Sequence, residues 1–246
     1  KGIAKAAKKA DRIAAEGLAA FAIDGDKAAL VEVNSETDFV AKNEEFKELV
    51  NMIAKAVAEA QVNTVEETLK LVVDGQDLDT IIKEKTGKIG EKLSLRRVVA
   101  MSKSEGETFG AYSHMGGTVA ALVKVANADD EKARDVAMHV AASAPQYISE
   151  DEIPEDVRER ELNVLKTQAL EENAKAAKPK PENILHKIVE GRLKKNFKEV
   201  CLNDQAFIKN PDQTVAQYLG NGKVEMMARF EVGEGIEKKE ENFAEE

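Results

Sequence analysis

The chain has 246 residues, 43 % of them apolar and 33 % charged, a balance that suits a packed core under a solvated surface and excludes a disordered or collagen-like chain. At about 150 residues per domain, that length makes one large domain or two modest ones. Asp and Glu outnumber Lys and Arg by 46 to 36, a net charge of −10, and phosphate backbones reward pooled cations, so no direct nucleic-acid binding is expected.

Residues 1–16 are Ala-rich, with Lys5, Lys8, Lys9 and Arg12 at helical spacing, which predicts a basic linker helix with a solvated face. Leu18–Ile23 reads as a strand and is also the longest unbroken apolar run. A spanning helix needs about 20 such residues, so no membrane partner is expected. Asp24-Gly25-Asp26 reads as a turn and Ala28–Asn34 as a second strand, a strong short-range hairpin signal. Over Glu44–Ala60 the apolar positions Phe46, Leu49, Val50, Ile53, Ala54 and Val57 follow a helical stripe. Two further helical stretches are predicted around Val65–Val73 and Leu78–Lys85, and Leu93–Met101 returns to strand character. Residues 17–103 form the N-terminal half on this reading.

The plan then repeats. Ala28–Asn34 (AALVEVN) matches Ala120–Ala126 (AALVKVA) at five of seven places, and each copy follows a turn and an earlier strand and precedes a helix. The second helix spans about Asp130–Ala144. The third-strand candidates also correspond, Leu93–Met101 in one half and Val224–Val232 in the other. Self-similarity of this kind fixes architecture: two related halves, the second made of residues 104–152 and 201–236. Within it, residues 153–200 read as an inserted pair of helices, Pro154–Ala177 and Pro181–Val200, broken by Lys178-Pro179-Lys180-Pro181. Ile184, Leu185, Ile188, Val189, Leu193 and Phe197 make one apolar stripe, and Val157, Leu162, Leu165 and Ala169 its partner. Residues 237–246 form an acidic tail. The expected fold class is α+β: two related α/β halves, each with a small antiparallel sheet packed by helices, plus a protruding antiparallel coiled-coil helical hairpin.

Chemistry is sparse. His114, His139 and His186 lie on separate elements without metal-ligand spacing, and Gly87–Lys92 (GKIGEK) lacks the spacing of a phosphate loop. Gly233-Glu234-Gly235 has no helix after it to present an anion site. The lone Cys201 cannot close an internal disulfide, which fits a reducing, cytoplasmic compartment. No enzyme, metal or cofactor is expected.

The two halves differ at one joint. Sixteen residues separate Val33 from Val50, whereas ten separate Val125 from Val136, so the first half carries six extra residues around Ser35–Asn43. Loops that a scaffold does not need are where function concentrates. Two readings of this run stay open. Ser35 to Asp38 fits a capping box with Phe39 tucked into the core, or Asp38 and Phe39 stand at a loop tip as an anchor for a partner's pocket.

The run Thr37-Asp38-Phe39-Val40-Ala41-Lys42-Asn43, preceded by Glu32-Val33-Asn34, resembles the signature of the bacterial-type elongation factor Ts family. Met138-His139-Val140-Ala141-Ala142-Ser143, Val189-Glu190-Gly191-Arg192 and Arg229–Gly235 resemble that family in the same order. The resemblance implies a non-enzymatic guanine-nucleotide exchange factor that binds the GDP form of elongation factor Tu. It would promote GDP release there by disturbing the Mg²⁺ and phosphate site. The family's intruding segment maps onto Thr37, Asp38, Phe39 and Val40, and its second contact onto His139 and Val140. On the residues alone, His139 reads equally as a helix histidine at the core margin. Family members usually begin with a small ubiquitin-associated-like domain, which is expected to be lacking before Lys1, and the tail is expected to be shortened at Glu246. Two rival functions remain: a scaffold or adaptor that docks a partner through the hairpin, and an enzyme built across the halves around His114 or His139.

Overall fold

The computed structural model describes residues 2–237; Lys1 and, apart from its first residue, the expected acidic tail lie outside the described residues. The chain divides into two compact units, Lys1–Ala141 with Lys223–Glu246, and Ala142–Gly222.

The first unit begins with helix α1 (Gly2–Lys9) and contains two three-stranded antiparallel sheets. Strands β1 (Glu16–Asp24) and β2 (Lys27–Ser35) are followed by the helices α2 (Asp38–Ala41), α3 (Glu44–Ala60) and α4 (Val65–Leu69). A miniature hairpin of β3 (Val72–Val73) and β4 (Gln76–Asp77) leads to α5 (Leu78–Ile89) and β5 (Ser94–Ser102). Next come β6 (Glu107–His114), β7 (Val119–Ala126) and α6 (Asp130–Ser143), and β10 (Lys223–Glu231) returns later to finish the unit. The sheet orders are β1-β2-β5 and β10-β7-β6. The repeated segments are therefore both central strands, each flanked by the strand before it and a later one, and each followed by a helix.

Local chemistry accounts for the joints. Asp24 pairs with Lys27 across a two-residue turn in which Gly25 takes φ 59°, a conformation glycine adopts without steric cost. The helical stretch predicted over Val65–Val73 stops at Leu69. Asp74 and Gly75 adopt left-handed φ values of 52° and 85° and turn the remainder into the β3–β4 hairpin. Apolar spacing in so short a run cannot separate helix from strand.

Packing explains why β2 reads as a continuous apolar run. Its Ala29, Val31 and Val33 pack with Phe46, Leu49, Val50, Ile53 and Val57 of α3. The alternate residues Ala28 and Leu30 pack against Ala120, Leu122, Ala228 and Phe230 of the other sheet. A strand covered on both faces has no polar side to show. The two halves thus share an interior, sheet against sheet. In β6, a Cβ at Gly110 would lie 2.0 Å from the Ala133 carbonyl oxygen of α6; only glycine permits that approach.

The second unit holds α7 (Glu155–Ala174) and α8 (Glu182–Val200), which pack on each other through Leu165, Ala169 and Val189 with Leu162 and Leu193 beside them. Ile184, expected in this seam, is 42 % exposed. At the turn, Asn173 both donates to the Lys180 carbonyl and accepts its N–H, at 3.2 and 2.7 Å. The open ends of the helices close over Ile153, Phe197 and Cys201, with Tyr147 and Val157 at the edge. Burial pushes the Cys201 thiol up to about 11, helped by the charges of Asp204, Glu150 and Glu152, which makes it a packing residue rather than a reactive one. β8 (Ala206–Phe207), β9 (Asn210–Thr214) and α9 (Val215–Leu219) complete the unit. These elements are too short to show periodicity, although the Thr214–Gln217 capping box at α9 is a legible signal in hindsight. Among the described residues, no helix is long and apolar enough to cross a membrane.

Candidate functional site

β2 ends at Ser35 and α3 begins at Glu44, where Asn43 caps the helix by accepting the Phe46 N–H at 3.1 Å. Between them the chain makes one extra helical turn, α2. Its cap is Thr37, whose hydroxyl accepts the Val40 N–H at 3.4 Å. Ser35, the capping residue on one of the two open readings, is instead the last residue of β2. Its hydroxyl donates to the Thr37 carbonyl at 2.9 Å. Two positions separate the two assignments, because the ladder with β1 continues through the Glu16–Ser35 pair.

The extra turn leans on a carboxylate from elsewhere in the chain. Glu91 Oε1 accepts the N–H groups of Glu36 and Thr37 at 3.1 and 3.0 Å, and Oε2 accepts the Thr37 hydroxyl at 2.7 Å. Glu36 answers by accepting the Lys92 N–H at 3.0 Å and a guanidinium N–H of Arg12 at 3.4 Å. The turn bearing Glu91 follows α5, and α5 is tied to α3 through Glu45. Lys85 and Lys88 lie 2.8 and 2.7 Å from that carboxylate, and their hydrogen bonds hold it at about 2, well below the ordinary carboxylate range.

On this support stand Asp38 and Phe39, both exposed, with Val40 half-buried and Ala41 buried behind them. Phe39 is 81 % exposed, more than any other large apolar side chain among the described residues. Phe46, one cap later, is 0 % exposed. A core staple at Phe39 does not form; α3 needs none, because Phe46 already fills that place.

Immediately before the tip lies a buried acid. Glu32 is fully buried in β2 and accepts from Arg97 Nε at 2.6 Å, Arg96 Nη1 at 3.2 Å, Asn34 Nδ2 at 2.9 Å and the Gly233 N–H at 2.9 Å. Consecutive strand residues normally point to opposite faces. Here β5 slips register between the partners of Glu32 and Val33, and such a bulge re-aims side chains, so two neighbouring arginines serve one carboxylate. Burial pushes the Glu32 carboxyl up, but the Gly233 N–H, Asn34 and Arg97 outweigh it and hold it below its ordinary value. Gly233 has φ 78°, and a Cβ there would lie 2.2 Å from the Ala15 carbonyl. Gly233 is therefore where the backbone closes tightly on Glu32, through its own N–H. Neither Glu32 nor Glu91 was among the expected site residues. The visible signals are a single acid within the apolar run Ala28–Val33 of β2 and a glutamate just past a helix-ending Gly90.

His139 and Val140 are both fully buried on α6, so neither presents surface in this conformation. His114 is exposed at the end of β6, and His186 pairs with Glu190 at 3.0 Å on α8. Among the described residues, no group of three or more His, Cys, Asp or Glu is arranged to hold a metal ion.

Among the described residues, the most exposed large apolar side chain thus sits on a braced turn, and comparison with known proteins gives the class. The family model described as elongation factor TS matches residues 36–234. Elongation factor Ts of Limosilactobacillus reuteri (strain DSM 20016) is 50 % identical over 248 aligned positions, covering all of this chain and 83 % of that protein. The protein of the same name from Limosilactobacillus reuteri subsp. reuteri (strain JCM 1112) matches to the same extent. The chain belongs to the elongation factor Ts family.

Proposed function

We propose that the chain is a guanine-nucleotide exchange factor for elongation factor Tu in translation elongation, and that the Thr37–Val40 tip is the part that acts on the nucleotide site. The observation that carries this reading is the exposed Phe39 on a braced turn that the fold does not need. Phe39 serves as the wedge and Asp38 as the charged neighbour that approaches the metal and phosphates. No catalytic group is required. Mg²⁺ holds near-ideal octahedral oxygen geometry, so shifting one supporting element of the partner by about an ångström ejects the ion and leaves the phosphates unscreened. A thousandfold faster release corresponds to about 4 kcal/mol off the barrier, within the range of one or two buried anchors. Binding is reciprocal: the factor by which this protein weakens GDP is the factor by which GDP weakens this protein.

His139 and Val140 join the contact surface only where the partner displaces what covers them, so the proposal rests on the tip. The competing scaffold reading draws on the hairpin, which exposes Val164 and Leu170 and has a groove of about 690 Å³ lined partly by Ala169, Leu185 and Val189. Release of a fluorescent GDP from elongation factor Tu separates the two. An exchange factor added in substoichiometric amount accelerates release, whereas a scaffold binds and leaves the rate unchanged.

A further inference from the structure

We infer that Glu91 is the positioning residue of the tip: it acts on exchange only by holding Thr37, and through Thr37 the single helical turn that aims Phe39. This inference rests on the exchange reading above and deepens it.

Three features of the geometry carry it. First, α2 is only four residues long, and so short a helix does not hold itself together in water because nucleation is unfavourable. Second, nothing in the exposed Phe39 side chain fixes its own direction, so its aim is set by the backbone beneath it. Third, that backbone is gripped just before the turn, by Ser35 at the Thr37 carbonyl and, with more bonds, by Glu91. Glu91 receives both N–H groups at residues 36 and 37 and the Thr37 hydroxyl, and the same hydroxyl is the acceptor that caps α2 at Val40. Donating its proton to Glu91 leaves the Thr37 oxygen's lone pairs turned toward the helix, which selects the capping rotamer. The return bond from the Lys92 N–H to Glu36 makes the grip reciprocal, so the tip cannot slide along the α5–β5 turn. The second half's short joint has no such turn to aim.

The test is a double-mutant cycle on the full chain, read as stimulated release of fluorescent GDP from elongation factor Tu. Glu91→Ala is expected to lower exchange by about tenfold to a hundredfold, the scale of an ångström-level misplacement, with the denaturation midpoint little changed. In a Phe39→Ala background the same substitution is expected to add less than about twofold, because two residues acting through one group are not additive. Thr37→Val breaks the link from the other side and is expected to follow Glu91→Ala. Hydrogen exchange at the amides of residues 36–40 should speed up in both variants while the α3 amides stay protected. An equal loss from Glu91→Ala with and without Phe39 overturns the inference, since Glu91 would then act independently of the tip. So does full activity of Glu91→Ala when Phe39→Ala is impaired. Full activity of Phe39→Ala is different: it removes the tip from the exchange reading, and this inference with it, while leaving the chain an exchange factor.

Discussion

The two strand-to-helix joints of the first unit solve one problem with different amounts of chain. In the second half, β7 passes to α6 through residues 127–129, where Asn127 takes a left-handed φ of 55° and Asp129 caps the helix by accepting the Lys132 N–H at 2.8 Å. In the first half, β2 passes to α3 through residues 36–43, and Asn43 does for α3 what Asp129 does for α6. Both helices start well. Neither helix needs the additional turn to start; its Val40 and Ala41 pack inward, while it carries the most exposed large apolar side chain among the described residues and is braced by a distant carboxylate. On the proposed function, the order of that turn serves to hold the binding tip.

The comparison can be broken most forcefully at its two phenylalanines. Phe46→Ala, on the packing side of the cap, is expected to cost about 3–5 kcal/mol of stability, seen as a large drop in the urea midpoint. Phe39→Ala is expected to leave that midpoint within about 0.5 kcal/mol and to slow GDP release by about 30- to 1,000-fold, the effect of truncating an anchor worth about 2–4 kcal/mol. A collapse of stability in Phe39→Ala would move Phe39 back into the core and end the distinction between the joints.

A second contrast lies in the central strands, where the repeat places Glu32 and Lys124 at matching positions with opposite charge. Glu32 is sealed in, whereas Lys124 keeps 15 % of its side chain in solvent and lies 3.7 Å from Glu107 and 3.9 Å from Glu225. Glu32→Gln is expected to cost about 2–3 kcal/mol, below the usual loss for a fully buried pair because Arg96 and Arg97 still reach water. Lys124→Met is expected to stay within about 1 kcal/mol. The pH dependence has a definite sign. The folded Glu32 carboxyl lies below the unfolded value of about 4.3, so its stabilisation is complete above that pH and is lost as pH falls through the folded value. Thermal midpoints of wild type and Glu32→Gln should therefore differ most at neutral pH and converge in acid. A constant gap down to pH 3 would show that Glu32 is held by packing rather than by charge.

The smallest effect sharpens the comparison most directly. Asn43→Ala and Asp129→Ala are each expected to lower stability by about 1 kcal/mol, the ordinary value of a helix cap. Matching losses would show that the two joints are equivalent once the extra turn is set aside. A much larger loss at Asn43 would mean that the turn and the cap work as one unit.

Much of this was readable along the chain. The spacing of Phe46, Leu49, Val50, Ile53 and Val57 marks α3 to its observed ends, the repeated AALV marks both central strands, and the difference in joint length points to residues 35–43. Those features are local, since backbone period and side-chain alternation are written in neighbouring residues. On the capping reading the cap falls at Ser35, two positions before the observed Thr37, because strand and cap compete for the same residue, and only pairing with β1 decides between them.

What tertiary structure alone decided is how distant residues meet. Glu32 and Gly233 stand 201 positions apart, and Glu91 and Thr37 stand 54 apart; no local period relates either pair. That the repeated strands turn one face to each other, and so bury a charge that needs two arginines and a glycine clasp, depends on sheet stacking and on a register slip in β5. Patterns a few residues long mark the long strands, the long helices and the surplus loop, whereas the short β3, β4, β8 and β9 carry no such pattern. The aim of Phe39 and the burial of Glu32 required the closed fold, because a carboxylate's partners are set by which backbone groups are brought within about 3 Å of it.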